Sequence, residues 1–342
     1  MPKCFTRSAV LVAALAFCVA GCGARESYLV FRGETMGTTW TVKVTAQFDA
    51  RTAKKIEEQC ALLLENVNQE MSTYRPDSLL SRFNAQDSTK PFRVLPSLTE
   101  VFKIALAVHE QTGGAFDITV GPLVNAWGFG PEARADPPPA KTIEALRERV
   151  GSGMLTVTEA SIAKSRPDLY CDLSAVAKGY AVDVVAESLD AFDITRYMVE
   201  VGGETRCAGT NPDGVPWRLG IEKPLEGVRE IAKVVPLDNM AMATSGDYRN
   251  FYTADGKRYA HTIDPRTGYP VDHMLASVTV LHRECAWADA YATGIMVLGP
   301  EEGMAFAEEH DLPVFMLIRE DDDTFTERAS SAWAKYMASV AP

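Results

Sequence analysis

The sequence predicts an α+β fold, mixed sheets with helices packed on them, on two observations. Helical and strand periodicities alternate irregularly, without the regular βαβ succession of a doubly wound parallel sheet. Short strand signals separated by Gly, Pro and Asp turns fill residues 197–281, whereas long helical patterns precede and follow them.

Residues 1–21 are expected to stand outside the fold. Lys3 and Arg7 precede the apolar run Ala9 to Ala20, and 12 residues are too few for a span needing about 20. Such a run suits a secretory signal. It ends in Val19-Ala20-Gly21-Cys22, which is similar to a lipoprotein cleavage box with Cys22 as the lipidated residue. Residues 22–32 are then expected to be a lipid-anchored tether, and 33–342 a single domain.

Trp40, Val42 and Val44 alternate with polar residues, so Thr38 to Ala46 predicts a half-buried strand. Ile56, Cys60, Leu63, Leu64, Val67 and Met71 follow helical spacing and predict a long amphipathic helix after Asp49. A second helix is expected from Leu98 to Thr112, stopped by Gly113-Gly114. Pro131 to Ala140 breaks both periodicities and is expected to be a surface connection. Ser174 to Leu189 predicts a further helix. Near the C-terminal end, helices are expected from Cys285 to Leu298 and from Glu301 to His310, followed by a buried strand from Pro313 to Ile318.

Composition narrows the function. With 46% hydrophobic and 23% charged residues the chain is globular, and its formal charge of -12 disfavours a nucleic-acid surface. The phosphate-loop, dinucleotide, nucleophile-elbow and H-E-x-x-H motifs are absent, and five histidines are too few and too scattered for a His-rich metal site. Cys60, Cys171, Cys207 and Cys285 are widely spaced, without a C-x-x-C pair, and are expected to be small buried hydrophobes.

Four stretches are richer in Gly, Asp, Thr and His than a core requires. Gly33 to Trp40 brackets a strand start with glycines and offers Met36 as a soft apolar contact; taken alone, it is also a plain turn. Gly113 to Pro122, followed by Trp127-Gly128-Phe129-Gly130, sets small residues beside aromatics, as a flat ring against backbone would need. Asp117 there is either a hydrogen-bond acceptor for that ring or a local cap. Asp172-Leu173-Ser174 is expected at a helix start, where free N–H groups favour anions or are simply capped. Lys178, one turn on, faces either the same site or solvent.

The fourth stretch runs from Ala243 to Thr293. Ala243 to Tyr248 is expected to be a polar turn, and His261 to sit on a strand just before the Pro265–Gly268 turn. Asp289 and Thr293, spaced i, i+4, project from one helix face. Two hard oxygens there suit Mg²⁺, although such a pair also forms ordinary hydrogen bonds.

Together the blocks GETMGTTW, GAFDITVGPLVNAWGFGP, DLSAVAKGY, HTIDPRTG and ADAYATGIMVLGP resemble the ApbE family of FAD:protein FMN transferases. The likeness runs in order from Gly33 to about Gly299. It implies an ApbE-like, T-fold-related architecture, and an enzyme that splits FAD at its pyrophosphate. FMN passes to a Ser or Thr hydroxyl of a target protein and AMP is released, with Mg²⁺ as cofactor. By the same resemblance Met36, Tyr74, Ala115, Phe116, Asp117, Asp172, Lys178 and Ile263 fall at FAD contacts. Asp289, Thr293 and the Ala175 carbonyl fall at the metal, and His261 at the base.

Two positions depart from some relatives: 178 is Lys rather than Glu, and 292 is Ala rather than Asp. That puts a second metal in doubt. The implied partners are flavin-carrying subunits of membrane redox complexes, of the sodium-pumping quinone reductase or Rnf type. The implied location is the periplasmic side of the inner membrane, although Gly23 replaces the Asp that usually retains a lipoprotein there. Hydrolysis of FAD to FMN and AMP, and non-catalytic flavin storage, are the alternatives.

Overall fold

The computed structural model describes residues 28–130, 136–225, 227, 229–247, 251–254, 257–321 and 324–340. Cys22 and the signal segment lie outside the described residues. So do 131–135, the first half of the expected surface connection. Helices and mainly antiparallel sheets are mixed, an α+β fold.

Its centre is an eight-stranded sheet. In spatial order the strands are Leu29–Thr35, Thr38–Val44, Tyr197–Val201, Glu204–Ala208, Ala241–Gly246, Leu275–His282, Val314–Arg319 and Phe325–Ala329. Every neighbouring pair is antiparallel. Both faces are covered. Val199, Val278, Val280, Val314 and Met316 face the helical layer. Their strand neighbours Met198, Leu281, Phe315 and Leu317 pack against Trp217, Val235 and Trp333 on the other side. Burial on both faces explains why Leu275–His282 and Val314–Arg319 are nearly continuous apolar runs.

The helical layer follows the predicted spacing. Ala50–Met71 is capped by Asp49, which accepts from the Thr52 N–H at 2.7 Å, and it buries Ile56, Cys60, Leu64, Val67 and Met71. Pro96–Gln111, Ala177–Ala191 and Cys285–Glu309 pack beside it. The last run is interrupted at Gly299 (φ 81°, ψ -176°), just before Pro300, so it is two helices meeting at a kink, as the sequence predicts. Among the described residues no helix is long and apolar enough to cross a membrane.

Three expectations are corrected. The folded domain begins before residue 33: Leu29–Thr35 pairs along its length with Thr38–Val44, and Phe31 is buried in the core, so 29–32 are not tether. The segment Met36-Gly37 is the two-residue turn of that hairpin, both residues at positive φ (50° and 70°). Ala243 to Gly246 is not a turn but part of the central strand Ala241–Gly246, its small polar side chains tolerated where the strand borders a cavity. The helix expected from Ser174 starts at Ala177, because Asp172 Oδ1 takes the Ser174 N–H (2.8 Å) and hydroxyl (2.5 Å) into a local turn. Cys60, Cys171, Cys207 and Cys285 are all buried and unbridged.

Candidate active site

Two helices lock the centre of the site. Gly179 is the third residue of Ala177–Ala191, so its N–H has no partner within the helix. Asp289 Oδ2, on the neighbouring helix, accepts it at 3.0 Å. The relation is reciprocal: Asp183 of the first helix accepts the N–H groups of Cys285 and Ala286, each at 2.9 Å, at the start of the second. Gly179 is required by this approach, since a Cβ there would stand 2.4 Å from the Cys285 carbonyl oxygen.

A charged trio surrounds this joint. Lys178 Nζ donates to Glu204 Oε1 at 2.6 Å and lies 3.7 Å from Asp289 Oδ1. Glu204 stands just after the Gly202-Gly203 turn between two central strands and is 5% exposed. Burial raises the pKa of its carboxyl; Lys178 opposes that and Asp289 adds to it. For Lys178 burial disfavours the charge, but Asp289 and Glu204 outweigh it and raise its pKa. The lysine therefore faces the site rather than bulk water. Sequence reasoning missed Glu204; the available signal was an acidic residue following Gly-Gly between two apolar strands.

The loop after Pro96–Gln111 forms one wall. Gly114 N–H bonds the His109 carbonyl at 2.9 Å and Phe116 N–H bonds Thr112 Oγ1 at 3.1 Å, which reverses the chain and points Ala115, Phe116 and Asp117 at the cavity. Asp117 is fully engaged. Its Oδ1 accepts the Thr119 N–H (2.7 Å), the Thr119 hydroxyl (2.6 Å) and the Ser152 hydroxyl (2.7 Å). Its Oδ2 accepts the Ser152 N–H (3.0 Å) and lies 3.2 Å from His109 Nδ1. Burial would raise its pKa, but these donors hold it below the usual carboxylate range. The carboxylate thus braces the loop.

His261 follows the strand Lys257–Ala260 and precedes the two-residue strand Ile263–Asp264, not on a strand itself. Its ring meets Phe129 edge to face, centroids 6.3 Å apart. Phe129 continues into Tyr252, Tyr259 and Trp127 at 5.3, 5.3 and 5.4 Å. Trp127 Nε1 donates to the Gly268 carbonyl at 2.9 Å, tying the end of the short helix Gly121–Ala126 to the turn after His261. Ile263 is 4% exposed and packs with Leu123, Trp127 and Ile143.

These walls enclose a cavity of about 550 Å³. Tyr74, Ala115, Phe116, Asp117, Asp172, Ala175, Lys178, His261, Ile263, Asp289 and Thr293 all line it, as does Glu204. Met36 does not. It lines an adjoining cavity of about 1090 Å³, with Thr73, Tyr74, Ser174 and Lys178 common to both. Tyr74 lines both and is 71% exposed, so the aromatic side chain stands at the border between them.

Among the described residues no three His, Cys, Asp or Glu side chains gather as a metal group. Residues that carry hard oxygen donors line the cavity: Asp289 with a buried carboxylate, Thr293 with a hydroxyl, and Ala175 with its main-chain carbonyl. That hard-oxygen set fits Mg²⁺, which takes one or two protein carboxylates and completes its shell with water and phosphate oxygens.

The ApbE family profile matches residues 36–316. The chain is 47% identical to an FAD:protein FMN transferase of Vibrio cholerae over 94% of its length and 96% of that protein. It is 40% identical to one of Escherichia coli K12, over 93% of each. Its structure is similar to that of the flavin transferase ApbE from Vibrio cholerae (TM-score 0.82, 47% identity), covering 90% of this chain and 99% of that one. It is also similar to the apo flavinyl transferase ApbE of Pseudomonas stutzeri (TM-score 0.83, 37% identity), covering 91% and 97%.

Proposed function

The chain belongs to the ApbE family, and from that premise we propose that it is an FAD:protein FMN transferase using Mg²⁺, Ser or Thr acceptors and release of AMP. The observation that carries the reading is the convergence of His261, Asp289, Thr293 and Ala175 on one cavity. Those residues come from distant parts of the chain, and storage of a flavin would need neither a base nor an oxygen-donor set.

Asp289, Thr293 and the Ala175 carbonyl would hold the cation, which would supply, within an otherwise acidic protein, positive charge against the pyrophosphate of FAD. His261 takes the proton from the acceptor hydroxyl as its oxygen attacks the FMN phosphorus. The bond from that phosphorus to the bridging oxygen breaks, and AMP leaves with the oxygen. The aromatic chain from Phe129 to Trp127 holds the imidazole at the cavity edge. Asp117, through Thr119 and Ser152, fixes the wall against which a flat ring can lie.

The acceptors in this reading are flavin-carrying subunits of membrane redox complexes. Lipidation at Cys22 would hold the enzyme beside them, on the periplasmic side of the inner membrane. The deciding experiment is mass spectrometry of a candidate acceptor domain incubated with the protein, FAD and Mg²⁺. A covalent gain equal to FMN less water on a Ser or Thr, lost with EDTA, is the expected result. Free FMN and AMP with every tested acceptor unmodified would instead identify a hydrolase.

A further inference from the structure

We propose that Glu204 is a further carboxylate of the divalent-cation site, and that the Lys178 ammonium sits between Glu204 and Asp289 as the cation's resident competitor. The inference rests on the cation reading above and extends it to a residue that reading does not use.

Glu204 is more than nine-tenths buried and lines the same cavity as Asp289, Thr293 and Ala175. Only one of its oxygens is accounted for. Oε1 receives the Lys178 ammonium, whereas Oε2 is buried with no hydrogen-bond partner among the described residues. A carboxylate kept only to anchor a lysine would bond its second oxygen to a backbone or hydroxyl donor, as Asp183 and Asp117 do here. On a residue that lines the cavity, such a buried, unpartnered carboxyl oxygen is a donor atom that a hard cation can draw on once the side chain turns toward it.

Lys178 supplies the second half of the argument. Its nitrogen lies 2.6 Å from one carboxylate and 3.7 Å from the other, a single positive charge where two negative groups converge. The ammonium ends a flexible stem whose side chain is 30% exposed, so it can swing into the cavity when a divalent ion displaces it. Its charge then becomes available to an anionic ligand. Binding of the cation and release of the lysine are one exchange.

The test is calorimetric titration of the whole protein with Mg²⁺ alone, then with FAD present. Lys178→Met keeps the stem and removes the competitor, so Mg²⁺ should bind several-fold more tightly than in wild type. Adding Glu204→Gln to that variant should weaken binding by about tenfold or more, the usual scale for a lost supporting group. In the Lys178→Met background no lysine can move onto Asp289, so the loss reports Glu204 itself. Equal affinity in Lys178→Met and Lys178→Met/Glu204→Gln, with binding abolished by Asp289→Asn, overturns the proposal and leaves the cation reading standing. Absence of Mg²⁺ binding to wild type under both conditions overturns both. Should the double variant not fold, Glu204→Asp replaces Glu204→Gln, and unchanged affinity then counts equally against the proposal.

Discussion

Gly179 and Asp289 meet across two helices: the glycine N–H donates to Oδ2 of the aspartate at 3.0 Å. The bond makes the carboxylate both a helix cap and a wall of the cavity. A methyl group on Gly179 would collide with the Cys285 carbonyl at 2.4 Å, backbone against side chain with no flexible partner to yield. Gly179→Ala should therefore destabilise the protein by about 1–3 kcal/mol and cut FMN transfer. Denaturant unfolding beside an activity assay checks this, and wild-type values in both would refute the close packing.

Asp289→Asn separates the two duties of that residue. The amide oxygen can still accept the Gly179 N–H, so thermal stability should stay near wild type while transfer is lost. Full transfer in this variant would remove Asp289 from the cation site.

His261→Gly should bind FAD as the parent does and transfer no FMN. The ring makes an edge contact with Phe129 at the cavity wall, so its removal spares the rest of that wall. Flavin fluorescence titration and acceptor labelling report the two steps separately; normal labelling would end the base assignment.

Trp127→Phe keeps the ring stack and deletes one hydrogen bond, leaving the buried Gly268 carbonyl unpaired. The expected cost is about 1–3 kcal/mol, with a lower transfer rate because the turn beyond His261 loses its anchor. Unchanged melting would show that water replaces the indole.

The half-buried His109 beside the buried Asp117 predicts a pH dependence. The Asp117 carboxylate raises the His109 pKa above its ordinary 6.5, partial burial opposing it. Its contribution to stability is complete below 6.5 and is lost as pH rises through the raised folded value. Asp117, held below 3.8, loses its own contribution only as pH falls through that lowered value. The melting-temperature gap between wild type and His109→Asn should be widest between 3.8 and 6.5 and narrow above it. Burial lowers the His282 pKa, the opposite sense, but His282 is common to both proteins and cancels. A gap that stays constant well above 6.5 would refute the pairing.

Periodic segments were legible because burial on one face leaves a periodic trace. Ile56, Cys60, Leu64, Val67 and Met71 face the core as their spacing requires. Trp40, Val42 and Val44 do so with period two. The edge strand Leu29–Thr35 was hidden, since only Phe31 and Thr35 are buried and the rest of its residues leave no clear alternation. The start of Ala177–Ala191 was displaced because Asp172 and Ser174 satisfy each other instead of capping a helix. Family blocks brought the site residues together on paper, yet Glu204 lay outside them. Its meaning comes from Lys178 and Asp289, neither a neighbour in sequence.

The reciprocal capping of Ala177–Ala191 and Cys285–Glu309 also orders what heat removes first. Neither helix can fray from its start without releasing a carboxylate of the other, so Asp289 keeps its setting until the core itself melts. His261, by contrast, is carried between short strands that pair only two by two, at the rim of the core. Gentle warming should therefore unhook His261, the proposed proton acceptor, while the charged pocket is still intact. Activity should fade before the protein unfolds, and return in full on cooling.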